Sequence, residues 1–225
     1  MLLRSGLVAL LVFGSFSVAA QDAPQIGLGL KLGTTGVGLE LSRGLGERVV
    51  LRGGYNVLTL DESIEDTDMT YDAELKKDSL SLLLDWHPWA GAYRLTGGVH
   101  SHSDNSLEII AQPDTGGTYT INGRTYAANN IGVLDGVIGL EKTTPYVGIG
   151  WGHAAKATGF TFLLDVGLQF QDSPGVKLSV DTCSLPVAVC AQLNSDIQAE
   201  VVQLEKDIED YDFWPVVNLG LHYRF

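Results

Sequence analysis

The residues best suited to chemistry stand close together at His100-Ser101-His102-Ser103-Asp104. A hydrolase needs a hydroxyl nucleophile, an imidazole base within hydrogen-bond reach and a third group to orient that base. Side chains of a strand alternate between its two faces. The preceding residues alternate too, with Tyr93, Leu95, Gly97 and Val99 set against Arg94, Thr96, Gly98 and His100. In that register His100 and His102 share one face, and Ser101 and Ser103 share the other. The face that carries the bases lacks the nucleophile. His102 and Asp104 make a base with its orienter only if the register runs on past 102, so catalysis is not expected. The acidic run Asp61-Glu62-Ser63-Ile64-Glu65-Asp66-Thr67-Asp68 lacks the glycine and ligand spacing of a calcium loop and reads as a solvated loop. There is no phosphate-binding glycine loop or zinc pattern, and no cofactor is expected.

The elements that carry these residues are strands. Apolar residues alternate with glycine or polar residues over roughly 26–33, 35–43, 47–60, 70–86, 92–110, 132–141, 144–153, 158–170, 174–182 and 214–225. Residues 160–170 are the cleanest case, with Phe160, Phe162, Leu164, Val166, Leu168 and Phe170 on one face. The polar faces collect Lys31, Glu40, Arg52, Asp85, Arg94, His100, Glu141, Asp165, Lys177, His222 and Arg224. Before the strands, Arg4, the apolar run Leu7–Phe16 and the small residues Ser17–Ala20 read as a secretory signal peptide over 1–20. No later stretch approaches the roughly 20 apolar residues of a spanning helix.

Of 14 basic and 27 acidic residues, the signal stretch holds one Arg and no acid, leaving 13 against 27 and a net charge of −14. That balance argues against nucleic acid as a partner, because phosphate contacts need Lys and Arg. The remaining residues 21–225 suit a single domain. Cys183 and Cys190 are the only cysteines. In an exported chain they are expected to form a local disulfide rather than a metal site.

The final stretch alternates without a fault: Val217, Leu219, Leu221, Tyr223 and Phe225 against Asn218, Gly220, His222 and Arg224. It ends on an aromatic. Together with the signal peptide and the glycine-rich polar faces, this resembles the small outer-membrane β-barrel proteins of Gram-negative bacteria, the group that includes the transmembrane domain of outer membrane protein A. The resemblance implies a closed antiparallel up-and-down barrel in the outer membrane, with its apolar faces in contact with lipid. It also implies that Tyr223 and Phe225 serve as a signal read by the barrel assembly machinery. Counting Thr34-Thr35-Gly36 as a hairpin predicts ten strands, with short turns at 44–46, 87–91, 142–143 and 171–173 and long segments at the other end; eight is the alternative.

Charges of both signs inside so narrow a barrel are expected to pair into a polar network. The helical spacing of Ile197, Val201, Leu204 and Ile208 predicts an acidic amphipathic helix over 191–210, capping the barrel mouth or lying against its rim, or else presented to a partner. The functional readings are, in order, a structural or surface-binding barrel with a filled interior, a narrow passive pore, and a lipid-modifying enzyme.

Overall fold

The computed structural model describes residues 26–66, 69–113, 116–154, 158–172 and 174–225; the signal-peptide stretch lies outside them. Twelve strands and two helices follow in order: β1 (Ile26–Gly33), β2 (Gly36–Gly44), β3 (Val49–Asp66), β4 (Met69–Trp86), β5 (Tyr93–Pro113), β6 (Thr118–Ile121), β7 (Arg124–Ala127), α1 (Ala128–Ile131), β8 (Leu134–Gly139), β9 (Thr143–Trp151), β10 (Gly159–Phe170), β11 (Gly175–Val180), α2 (Val187–Asp207) and β12 (Phe213–Arg224).

Every sheet pairing is antiparallel, and one series of pairings returns to its start. β1 to β5 pair consecutively, β5 pairs with β9, β9 with β10, β10 with β12, and β12 with β1. The result is a ring through eight strands. The ten expected strands do form one sheet, but β8 and β11 lie outside the ring. The fork is in β5. Its first half, Tyr93–Ser101, pairs with β9, and its second half, Ser106–Ala111, pairs with β8. β11 pairs only with β8. Both are six residues long, short of the roughly 9–11 that a membrane strand requires. Consequently the turn at 142–143 and the end of β10 lie at the opposite end of the ring from 44–46 and 87–91, and the end of β9 and the start of β10 lie with the latter pair. The acidic run is no loop either: Asp61–Asp66 continues β3 and pairs with β4.

The ring's outward face is apolar. Leu30, Leu39, Leu82, Ile149, Phe162, Leu164 and Leu219 are all exposed. At the short-turn end Trp89 meets Tyr93, Tyr93 meets Trp151, and Phe160 meets Tyr223, which in turn meets Phe225. These contacts make an aromatic rim. The inward face holds the buried polar residues.

Above the ring, the upper parts of β3, β4 and β5 continue with β8 and β11 into a cap. Buried Leu193 and Ile197 of α2 join Ala111, Tyr119, Ile121, Tyr126 and Ile131 in its core. The expected apolar stripe therefore packs on the β6–β7 hairpin and the sheet extension, not on the ring. Leu204 and Ile208 line a cavity of about 320 Å³ with β8 and β11, and Val201 is half-buried. α2 starts earlier than expected, at Val187, because Pro186 is well placed to precede a helix. Asp196 is buried within this contact. It accepts hydrogen bonds from the Tyr126 hydroxyl, Asn122 Nδ2, Arg124 Nη1 and Gln192 Nε2. The donated Tyr126 hydroxyl holds the Asp196 carboxyl below its ordinary value and raises its own.

Cys183 and Cys190 form the expected disulfide, with Cα atoms 6.0 Å apart. It closes a short loop, so its entropic effect on the unfolded chain is modest. It ties the segment before α2 to the first turn of the helix. Reduction should speed protease cleavage within 183–213 and leave the ring folded, read as unchanged heat-modifiable migration on gels. Unchanged cleavage after confirmed reduction would exclude the positioning role.

Candidate functional site

The inward faces of the ring meet in a charge network built from six strands. Arg52 of β3 is its centre. Its Nε lies 2.7 Å from Asp85 of β4, Nη1 lies 3.1 Å from Glu40 of β2, and Nη2 lies 3.0 Å from Asp165 of β10. Arg94 of β5 reaches Asp165 at 2.8 Å and Asp85 at 3.5 Å. Its Nη1 also donates to the carbonyls of Trp151 and Gly152. Lys31 of β1 closes the chain on Glu40 at 3.3 Å, and the Thr96 hydroxyl donates to Asp85. Three cations face three carboxylates, so the network is neutral. Both arginines are at most 1% exposed. In the order of the ring β3 and β10 are four strands apart, so the Arg52–Asp165 contact spans its diameter.

Glycine makes the room for these side chains. A Cβ on Gly150 would lie 2.7 Å from the Arg94 guanidinium, and one on Gly27 or Gly29 would strike the His222 ring at 2.4 Å. The small inner-face residues of β1 and β9 are thus complements to large neighbours. They do not line an open channel.

Of the eleven residues placed on polar faces by the sequence, six form this network: Lys31, Glu40, Arg52, Asp85, Arg94 and Asp165. His100 and His222 are buried in the same interior, His100 edge-on to Tyr146 at 5.6 Å between ring centroids. Arg224 lies half-buried on the inward face at the end of β12. Glu141 and Lys177 are exposed, which corrects their placement inside the barrel. Glu141 belongs to the connection between β8 and β9. Lys177 lies on β11, whose apolar residues turn toward the cap core, so its parity is the reverse of a ring strand's. Tyr223 and Phe225 stand on the outer aromatic rim.

The interior also holds residues beyond these eleven. Above the network lie Lys77, Tyr146, Gln169 and Trp214, all at least half-buried and inward. At the short-turn end the rings of His87 and His153 stack at 3.7 Å. The signal for Lys77 was available: it continues the parity of Ser79, Ser81 and Asp85 on β4. The His100–Asp104 cluster divides as its alternation requires, with His100 and His102 buried and Ser101 and Ser103 exposed. Asp78 pairs with Asp104 and Ser79 with His102, leaving Ser103 as the extra residue of a β-bulge. The register therefore does not run on past 102. His102 instead lies 3.1 Å from the Thr144 hydroxyl.

A ring of antiparallel strands with an apolar exterior and a filled polar interior is the architecture of small membrane β-barrels. Comparison with solved structures finds two of similar fold. Acinetobacter baumannii CarO matches with a TM-score of 0.58 at 21% identity, over 90% of this chain and 98% of that one. Acinetobacter baumannii CarO2 matches with a TM-score of 0.60 at 19% identity, over 91% and 100%. The chain thus shares the fold of these two CarO structures, while the matches do not bear on the narrower likeness to outer membrane protein A. No family model and no curated protein matches the chain.

Proposed function

We propose that this chain is an integral outer-membrane barrel of eight strands whose interior is closed at rest, and that it serves as a structural element presenting its cap at the cell surface. The observation that carries this reading is the neutral network of Lys31, Glu40, Arg52, Asp85, Arg94 and Asp165, which crosses the full width of the ring with no member more than 7% exposed. An ion entering at that level would have to break contacts whose partners are themselves desolvated, which costs several kcal/mol. The placement in a membrane is supported by the exposed apolar band and by the likeness to the two CarO structures.

The test is recording from the refolded protein in planar bilayers. Wild-type protein should give no steady conductance at moderate voltage. A continuous, reproducible single-molecule conductance would replace this reading with a narrow pore.

A further inference from the structure

Two contacts cross the ring from wall to wall, at different heights. Arg52–Asp165 is the lower. The upper joins Lys77 of β4 to Trp214 of β12, strands four apart around the ring, with Nζ 4.2 Å from the indole centroid. Around the upper contact the buried groups make an unusual inventory. Lys77 is 1% exposed, its Nζ has no hydrogen-bond partner, and no carboxylate of the described residues lies within ion-pair distance. Gln169 is wholly buried and neither its amide nitrogen nor its oxygen is partnered. The indole Nε1 of Trp214, Nδ1 of His102 and Oδ1 of Asn56 are also buried and unpartnered. Pairing sets these groups on neighbouring positions: Gln169 lies opposite Trp214, and Ser79, two residues from Lys77 on the same face, lies opposite both Asn56 and His102.

A buried ammonium without a counter-ion is costly, as is each unpartnered amide or indole N–H beside it. Every other cation buried in the ring interior has its carboxylate. We infer that this cluster of buried groups binds a small carboxylate solute, which supplies the missing counter-ion to Lys77 and accepts from Gln169 and Trp214. Two oxygens on one planar group suit several convergent donors better than a monatomic anion does. The inference rests on the closed interior proposed above, and it fails separately, since binding is read at equilibrium and without current.

The experiment is a titration of the full refolded chain in detergent with sodium acetate, against sodium chloride at equal ionic strength. Refolding in the presence of the probe ensures that slow entry does not mask binding. The readouts are the Trp214 indole N–H signal in NMR, identified by its loss in Trp214→Phe, and the urea midpoint, which a ligand specific to the folded state raises. Acetate should shift both saturably, chloride should not, and Lys77→Gln should weaken the response at least tenfold while Lys77→Arg retains it. Gln169→Leu provides a second route should Lys77→Gln fail to fold, with a weaker saturable shift expected. No saturable response in wild type, an equal response to chloride, or full binding by folded Lys77→Gln or Gln169→Leu would each overturn the assignment.

Discussion

Arg52→Met should destabilise the folded protein by about 3–5 kcal/mol, the expected penalty for leaving buried charge unpaired. The side chain touches three carboxylates, Glu40, Asp85 and Asp165. Methionine fills much of the volume and none of the charge. Arg94 and Lys31 remain, so three carboxylates would share two cations. Urea unfolding in detergent or lipid should show the loss, and adding Asp165→Asn should restore part of it by removing one unmatched charge. Lys31→Met, which removes a single partner at the edge of the network, should cost less. An Arg52→Met protein as stable as wild type would mean that the network is not a structural necessity.

The outward face gives the second large effect. Leu164 lies midway along β10, is exposed on the ring exterior and is opposed on β12 by Leu219. If hydrocarbon surrounds it, Leu164→Arg should cost about 2–4 kcal/mol near the bilayer midplane. The control is Val202→Arg on α2, where an equally apolar and more exposed side chain lies in the cap. There the change should stay within about 0.5 kcal/mol. Both can be read from unfolding in lipid vesicles. Equal tolerance at the two positions would show that the exposed apolar band does not face lipid.

The two residues illustrate what the sequence made legible. Leu164 and Arg52 could both be assigned to their faces, because a strand with one apolar and one polar face follows parity alone. That rule located six members of the network before any contact was known. Parity says nothing about a strand's partner, and there the reading failed. β8 and β11 look like ring strands locally, but whether they join depends on β5, whose length lets it pair twice. The misplacement of Glu141 and Lys177 follows from the same cause. Lys77 and Trp214 were missed for a different reason. Each sits on the inward parity of its strand, yet their meeting depends on β4 and β12 lying opposite one another, which is a property of the closed ring. Asp196 was hidden in a helix rich in acids, and only the hairpin packed above it distinguishes it from its neighbours.

The ring leaves its strands with no loose margin, but the cap reopens one along β11, whose second side meets no other strand among the described residues. Such a margin invites an incoming chain to zip on through its backbone. Here the invitation is partly withdrawn. The Val176 N–H is already taken by the Glu205 carboxylate of α2 at 3.1 Å, the strand offers only six residues, and Lys177 projects a charge into solvent beside it. A second copy would have to displace a carboxylate from its own molecule before gaining its first shared hydrogen bond. The helix thus covers part of the backbone edge that a second copy would need.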